Sequence, residues 1–202
     1  MPTPVPSHGR PAVFLDRDGV LIEDRGLLLD AADGRLLPGA AEALSRLQRA
    51  GRVLVVVSNQ AVIARGLRTE AQVRETQASI EAALVAAGGP RLDAFYLCPH
   101  HPEATDPAFR AACDCRKPRP GLLLRAAEAM GLDLAASVMI GDRVTDVLAG
   151  RAAGCRTVLL RSGAHEAPPI VTPDPVPMDV KADMECDELR AAVDWILEGA
   201  DE

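Results

Sequence analysis

Two aspartates, Asp16 and Asp18, stand one residue apart directly after an apolar run at residues 12–15. In an extended chain, side chains two positions apart lie on the same side, so both carboxylates can face one reacting centre while Arg17 points away. Gly19 then allows the chain to turn. Such a pair suits a metal ion with a nucleophile, or a nucleophile with a general acid, because a cation or a shared proton relieves the repulsion. A polar loop that merely follows a strand is the alternative explanation.

Further carboxylates follow another apolar run, at residues 137–140. Asp142 and Asp146 lie in the sequence GDRVTD, one at the end of the run and the other in the first turn of a predicted helix. With Asp16 they predict a site of hard oxygen ligands, which suits Mg²⁺ and a substrate phosphate oxygen. Asp146 could instead only cap the helix, since acidic groups at a helix N-terminus interact favourably with its dipole.

Groups that could bind a phosphate follow the strongest apolar run, at residues 53–57. Ser58 and Asn59 offer a hydroxyl and backbone N–H groups there, and Lys117 can add a positive charge. Taken singly, Ser58 could belong to an ordinary turn and Lys117 to a solvated surface.

A second possible metal site uses softer ligands. Three thiols and an imidazole in the pattern C-x-H…C-x-C match structural Zn²⁺ better than Mg²⁺, and they belong to Cys98, His100, Cys113 and Cys115. The spacing differs from the commoner C-x₂-C, and His101 duplicates the histidine. Unligated thiols beside surface histidines are therefore the alternative.

The elements that must bring these groups together alternate along the chain. Strands are predicted at residues 12–15, 53–57, 95–97, 137–140 and 157–160, and helices at residues 39–51, from Thr69 with Gln72 completing a capping box, and at residues 120–130, 144–153 and 187–198. This alternation predicts a three-layer α/β fold, with a mostly parallel sheet and helices on both faces. The carboxyl ends of parallel strands share one edge, so the polar clusters should converge there.

Length and composition fit one domain over residues 12–202, preceded by a flexible segment at residues 1–11. Within it we expect an irregular Cys/His loop at residues 98–118 and a Pro-rich extended segment at residues 167–179. The odd count of 5 cysteines fits thiols in a reducing compartment better than a disulfide framework.

The formal net charge of -7 disfavours nucleic acid and anionic membranes as partners, so a small metabolite is expected. Neither a signal peptide nor an apolar run long enough to span a bilayer is present. We therefore expect a soluble cytoplasmic protein, and a monomer.

Four motifs in a fixed order carry a family resemblance. DRDGV at residues 16–20, SNQ at 58–60, RKP at 116–118 and GDRVTD at 141–146 resemble the motifs of the haloacid dehalogenase (HAD) phosphohydrolases. IARG at 63–66 and the Cys/His loop resemble the D,D-heptose 1,7-bisphosphate phosphatases in particular, with the histidinol-phosphate phosphatases as close relatives. The resemblance implies a HAD-like Rossmannoid fold. We expect no large cap domain, because the segment between Val20 and Pro38 is long enough only for a flap.

The resemblance also implies a catalytic apparatus. Asp16 would be the nucleophile that forms an aspartyl-phosphate, and Asp18 the general acid that protonates the leaving sugar oxygen and then activates water. Mg²⁺ would be held by the side chains of Asp16 and Asp142 and by the main-chain carbonyl of Asp18. The charge of the transferred phosphoryl group would be spread by Ser58, Asn59 and Lys117.

Substrate contacts are expected from a wider set, which comprises Asp24, Arg25, Asn59, Gln60, Arg116 and Arg143. The resemblance selects His100 over His101 as the zinc ligand, and the zinc should be structural, holding the loop that precedes the RKP motif. Ala61 and Val62 depart from the family's usual NQSGIARG, and Arg143 replaces a lysine. These departures leave the catalytic set intact and bear on which sugar phosphate fits.

The leading hypothesis is a Mg²⁺-dependent phosphatase that removes the 7-phosphate of D-glycero-D-manno-heptose 1,7-bisphosphate. The alternative within the same class is a histidinol-phosphate phosphatase, and a nucleic-acid 3′-phosphatase is disfavoured by the negative charge. From a different class, a non-catalytic zinc-stapled binding protein could retain the fold. Such a scaffold would be unaffected by Asp16→Asn.

Overall fold

The computed structural model describes residues 9–26, 34–111, 113–162, 176–177 and 179–199. The strands are β1 (Arg10–Leu15), β2 (Val53–Asn59), β3 (Ala94–Cys98), β4 (Leu132–Gly141), β5 (Arg156–Leu160) and β6 (Met184–Cys186). The helices are α1 (Ala40–Arg49), α2 (Ala61–Ala64), α3 (Glu70–Ala86), α4 (Gly121–Met130), α5 (Val144–Ala153) and α6 (Leu189–Glu198).

The six strands form one parallel sheet in the order β3-β2-β1-β4-β5-β6. Its central strand β1 alternates between two cores: Val13 and Leu15 pack on one face, and Ala12 and Phe14 on the other. Because both faces are covered, the central strands are apolar throughout, as the sequence indicated. The predicted α/β fold is confirmed.

Helices cover both faces of the sheet. One core combines inward-facing strand residues with buried side chains of α1, α3 and α6, such as Leu44, Ile80 and Val193. The opposite core is built from α4 and α5, including Leu123 and Ala149. The arrangement has the three layers expected for helices that cross between parallel strands.

The strand order reverses at β1, which lies between β2 and β4. In open α/β sheets the crevice at the carboxyl ends of such strands is the usual ligand site. Asp16 follows β1 and Asp142 follows β4, and the backbone N–H of Asp16 donates to the carbonyl of Ile140 across the two strands at 2.9 Å. The fold therefore places two predicted carboxylates side by side.

Several local predictions are confirmed. Thr69 and Gln72 form the capping box at the start of α3, α5 has the predicted bounds, and α4 ends at Gly131 with a φ of +64°. In other places the boundaries differ. α6 begins at Leu189, and the short helix α2 was not anticipated.

Strand pairing explains the remaining differences. Arg10 pairs with Leu132, so β1 begins inside the segment expected to be flexible, and β4 is longer than residues 137–140. The strand β6 was missed because its three residues contain no apolar run. It pairs with β5, and Asp183 just before it accepts hydrogen bonds from the backbone N–H and the hydroxyl of Thr157 at 2.7 and 2.8 Å.

Residues 1–8, most of the Pro-rich segment and residues 27–33 of the expected flap lie outside the described residues. The described parts of the β1–α1 connection form only isolated bridges, which join Ile22 to Asp18 and to Leu36. Among the helices in the described ranges, none is both long and apolar enough to cross a membrane.

Candidate active site

A cavity of about 450 Å³ opens at the carboxyl ends of β1, β2 and β4. Most of the side chains singled out from the sequence line it, namely Asp16, Asp18, Asp24, Ser58, Asn59, Arg116, Lys117, Arg143 and Asp146. They come from separate segments that only the sheet brings together. The convergence expected at this edge is present.

Three carboxylates form an acidic cluster, in which one oxygen each from Asp16, Asp142 and Asp146 lies within 4.8 Å of the others. Asp142 is fully buried, and neither of its oxygens accepts a hydrogen bond from the described residues. Burial, reinforced by the charges of Asp16 and Asp146, raises the pKa of Asp142 to about 9. A buried carboxylate without a donor is costly, and a divalent cation would relieve the cost.

Gly19 leaves room for the side chain of Asp142 because it has no side chain of its own. Gly19 has a φ of +80°, and a Cβ placed there would overlap the carboxylate of Asp142. A side chain at this position would meet both backbone strain and a steric clash. The glycine of the DRDG motif is therefore needed for the acidic cluster as well as for the turn.

Lys117 supplies the positive charge inside this cluster. Its Nζ lies 2.9 Å from Asp16 Oδ1 and 2.6 Å from Asp146 Oδ1, and it donates to the carbonyl of Val57 at 2.9 Å. Burial alone would lower the pKa of Lys117, but the charges of Asp146 and Asp16 outweigh it and raise the pKa. The ammonium therefore stays charged, although one cation does not balance three carboxylates.

Asp146 has structural contacts besides its place in the cluster. Its Oδ2 accepts the backbone N–H of Arg143 at 3.1 Å, which caps α5, and its other oxygen pairs with Lys117. Both roles suggested by the sequence, helix cap and cluster member, are therefore seen together. Asp142, with both oxygens unengaged, is better placed than Asp146 to bind a cation directly.

The environment of Asp18 differs from the expectation. Arg17 does not point away from it: the buried guanidinium of Arg17 contacts both carboxylate oxygens, with the closest contact at 3.0 Å. The alternation rule fails because the chain leaves the extended conformation after β1, and the N–H of Leu21 bonds the carbonyl of Arg17. Burial raises the pKa of Asp18, with Arg17 acting in the opposite direction.

Two residues of the SNQ motif serve the framework. The side-chain amide of Asn59 donates to the carbonyl of Lys117 and accepts its N–H, both at 3.1 Å, so it fixes the RKP segment to β2. Gln60, expected to bind substrate, is buried and does not line the cavity. Ser58 lines the cavity, and its Oγ accepts a hydrogen bond from Gln60.

Charged side chains form the rim of the cavity. Arg143 pairs with Asp24 at 3.0 Å, which links the motif after β4 to the loop after β1. Arg25, also expected to contact substrate, lies outside the cavity lining and pairs with Glu23. Arg65 lines the cavity on the α2 side. Its position in IARG could have marked it from the sequence.

The Cys/His loop brings together the four predicted zinc ligands, whose ligand atoms lie within 4.8 Å of one another: Cys98, His100, Cys113 and Cys115. Sulphur–sulphur distances are as short as 3.1 Å, and Nδ1 of His100 lies 3.5 Å from the sulphur of Cys115. The hydrogen bond between the two thiols lowers the pKa of Cys115 and raises that of Cys98, so the pair readily loses one proton, from Cys115. This donor set fits a tetrahedral zinc ion.

The ligand cluster is connected to the cavity through Arg116. The guanidinium of Arg116 donates from Nη1 to the carbonyl of His100 at 3.0 Å, while its buried Nε has no partner among the described residues. His101 stands apart from the cluster: its Nδ1 accepts the N–H of Glu103 at 3.1 Å, and its side chain lines the cavity. Sequence reasoning did not place His101 at the site, because it gave no means of knowing which way the ring faces.

Comparison with known proteins places these features in context. Residues 114–185 match the family described as HAD-hydrolase-like. The chain is 43% identical over 188 residues to the D-glycero-beta-D-manno-heptose-1,7-bisphosphate 7-phosphatase of Escherichia coli K12, covering 93% of this chain and 88% of that protein. It is 43% identical over 158 residues to the protein of the same name from Photorhabdus laumondii, covering 78% and 84% of the two chains.

Solved structures give a similar result. The D,D-heptose 1,7-bisphosphate phosphatase of B. bronchiseptica, complexed with magnesium and phosphate, superposes with a TM-score of 0.77 at 30% identity, over 94% of this chain and 99% of that one. The corresponding enzyme of Burkholderia thailandensis gives 0.62 at 28% identity, over 96% and 100%.

Proposed function

The chain belongs to the heptose 1,7-bisphosphate 7-phosphatases among the HAD-like hydrolases, and on this basis we propose that it removes the 7-phosphate of D-glycero-β-D-manno-heptose 1,7-bisphosphate. One observation carries the proposal for this chain's own residues: Asp16 lines the cavity, contacts the Lys117 ammonium and lies beside the unpartnered Asp142 carboxylate. A nucleophile, a fixed cation and an open cation site are the parts that phosphoryl transfer needs.

In the first half of the proposed reaction, Asp16 is the nucleophile. Its Oδ1 is held by Lys117 and by the N–H of Arg17, so Oδ2 is the oxygen that attacks phosphorus. The bond between phosphorus and the sugar oxygen breaks, and that oxygen takes the proton of Asp18. Burial, which raises the pKa of Asp18, favours the protonated form required for this step.

In the second half, the roles reverse. The Asp18 carboxylate accepts a proton from a water molecule, and the water oxygen attacks phosphorus of the aspartyl-phosphate. The acyl–phosphate bond breaks, inorganic phosphate leaves, and Asp16 is regenerated. Ser58 and Lys117 stay in place through both halves and stabilise the charge on the phosphoryl oxygens.

The acidic cluster fits Mg²⁺, which would be held by the side chains of Asp16 and Asp142 and the main-chain carbonyl of Asp18. When bound, the ion would neutralise charge on the phosphoryl group and orient it for in-line attack. In the Cys/His loop the proposed ion is Zn²⁺, in a structural role. Because Arg116 bonds the His100 carbonyl, loss of zinc should weaken substrate binding before it unfolds the domain.

The cavity also suits a second anionic group on the substrate. Arg65 and Arg116 line it in addition to Lys117, and the buried Nε of Arg116 has a hydrogen to donate. A bisphosphate places one phosphate at Asp16 and can present the other to these guanidinium groups. Histidinol phosphate has an amine and an imidazole but no second anionic group, so it would gain no such contact.

The test is phosphate release in the presence of Mg²⁺ from the β and α anomers of heptose 1,7-bisphosphate and from histidinol phosphate. We expect preference for a heptose bisphosphate, the β anomer first, and complete loss in Asp16→Asn. Preference for histidinol phosphate would keep the mechanism and change the substrate. Activity that survives Asp16→Asn, or the absence of activity on all three compounds, would contradict the proposed function.

A further inference from the structure

The DRDG motif contains a buried cation that none of the proposed catalytic steps uses. Arg17 is only 2% exposed, and its guanidinium forms a bidentate salt bridge with the Asp18 carboxylate. Nε lies 3.3 and 3.2 Å from the two carboxylate oxygens, and Nη2 lies 3.1 and 3.0 Å from them. Arg17 does not line the cavity, so it reaches the site only through its neighbours.

Gln60 completes this arrangement from the next strand. Its side-chain oxygen accepts a hydrogen bond from Arg17 Nη2 at 3.2 Å. Its Nε2 lies 2.9 Å from the hydroxyl of Ser58 and 3.4 Å from Asp18 Oδ2. The amide therefore ties the end of β1 to the end of β2, and it is buried without lining the cavity.

The distribution of these bonds leaves one position on the carboxylate unused. An ionised carboxylate has about four acceptor positions, two on each oxygen. Arg17 directs two N–H hydrogens at the carboxylate, one from Nε and one from Nη2, because the other Nη2 hydrogen faces Gln60. Shared between the two oxygens, they fill one position on each, and Gln60 takes a second on Oδ2. Oδ1 therefore keeps one free acceptor position. Of Arg17, Asp18, Ser58 and Gln60, only Asp18 and Ser58 line the cavity.

We propose that Arg17 and Gln60 are positioning residues that fix the Asp18 carboxylate with its free Oδ1 position toward the oxygen that leaves or attacks phosphorus. Gln60 also sets this orientation relative to Ser58. A carboxylate turned by one rotamer would not reach that oxygen, and misplacement of a catalytic group by about 1 Å can cost about 10²-fold in rate. The inference rests on the proposed function, because it assigns proton transfer to Asp18.

The experiment compares two leaving groups. The sugar alkoxide of heptose 1,7-bisphosphate requires a proton as it departs, whereas p-nitrophenolate from p-nitrophenyl phosphate is a weak base and does not. For Arg17→Met we expect kcat/KM on the sugar substrate, which reports only the steps up to the aspartyl-phosphate, to fall by about 10² to 10⁴, the range typical of a lost general acid. On p-nitrophenyl phosphate we expect kcat/KM to fall by less than about tenfold, because protonation of this leaving group is dispensable and the shared hydrolysis of the aspartyl-phosphate does not enter kcat/KM.

Two further variants separate orientation from charge and from folding. Arg17→Lys keeps the charge but lacks the planar fork that bonds both oxygens, so it should remain impaired on the sugar substrate. Gln60→Leu removes the link to Ser58 and provides a second test if Arg17→Met does not fold. Arg91→Met, at an exposed arginine, is the matched control and should behave as wild type.

A readout independent of turnover monitors the rest of the site. Beryllofluoride mimics a phosphoryl group on an aspartate, and its binding with Mg²⁺ can be followed by ¹⁹F NMR. We expect Arg17→Met to bind it as wild type does, since Asp16 and Lys117 are unchanged. Equal losses of kcat/KM on both substrates, or an unimpaired kcat/KM on the sugar, would overturn the positioning role. A wild-type protein inert toward both substrates would instead overturn the proposed function, and this inference with it.

Discussion

Replacing Asp142 by asparagine should make the metal-free protein more stable, although it should abolish activity. Asp142 is fully buried, neither oxygen has a hydrogen-bond donor among the described residues, and two further carboxylates are close by. The metal-free fold therefore accepts this side chain only with a proton on it. Asparagine has the same shape and carries no charge, so it removes the penalty without leaving a hole.

The size of the effect follows from the pKa of Asp142, which the fold raises from 3.8 to about 9. At pH 7 the group is ionised in the unfolded chain and protonated in the fold, so folding must take up a proton. Over the interval from 3.8 to 7 this costs about 4 kcal/mol at 1.36 kcal/mol per pH unit, an upper bound if water reaches the carboxylate. For a chain of 202 residues that corresponds to about 8 to 16 °C in Tm.

The pH dependence gives the prediction its specific form. Below about pH 4 the group is protonated in both states, and Asp142→Asn should equal wild type in stability. As pH rises toward about 9, wild type alone loses stability, so the gap should widen by about 1.4 kcal/mol per pH unit. Mg²⁺ should narrow the gap at pH 7, since saturation at 100 times Kd adds about 2.7 kcal/mol to wild type.

The assay is thermal and denaturant unfolding in a chelator, from pH 4 to pH 9, and again with Mg²⁺. Glu128→Gln is the matched control, because it makes the same chemical change at an exposed position of α4. It should alter the free energy of unfolding by less than about 0.5 kcal/mol at every pH. An Asp142→Asn variant less stable than wild type in chelator, or a gap that does not change with pH, would refute the reasoning.

Three other predictions concern the same site and the Cys/His loop. Lys117→Met should destabilise the fold by about 3 to 5 kcal/mol in denaturant unfolding, because it leaves the buried carboxylates of Asp16 and Asp146 without their cation. Unchanged stability would contradict the ion-pair geometry. His100→Ala should lose its equivalent of zinc in elemental analysis while His101→Ala retains it; zinc retained in both would mean a different ligand set. Gly19→Ala should weaken Mg²⁺ binding in titration calorimetry, because the added methyl group would overlap the Asp142 carboxylate. Gly51→Ala should not, since Gly51 has a similarly positive φ but no atom close to the added methyl group. Equal effects of the two changes would show that backbone strain alone is responsible.

The sequence by itself determined the framework and the inventory of the site. Continuous apolar runs such as that of β2 are typical of strands buried on both faces, and alternation with helices indicates that such strands are parallel. Parallel strands end at one edge, which is why Asp16, Ser58 and Asp142 could be placed together before any distance was known. The Cys/His loop was also recognisable, because metal ligation depends on residue type and spacing.

Only the tertiary structure decided which partner each polar side chain has. Gln60 and Arg25 were expected to contact substrate, yet neither lines the cavity: Gln60 is buried, and Arg25 pairs with Glu23 on the surface. Arg17 turned toward Asp18 because a turn, stabilised by a backbone hydrogen bond, replaced the strand geometry that the spacing implied. Side-chain direction in a loop depends on contacts remote in sequence, and spacing carries no information about them.

Long-range packing also explains why the sequence did not reveal the strand β6 or the unpartnered state of Asp142. β6 is a strand because β5 offers an open edge and Asp183 bonds Thr157, and its own three residues have little propensity. The unpartnered state of Asp142 is likewise a property of its surroundings, since it depends on which donors fail to reach it. Local residue patterns thus fixed which elements and motifs exist, whereas long-range packing fixed the pairing, burial and charge balance on which the chemistry depends.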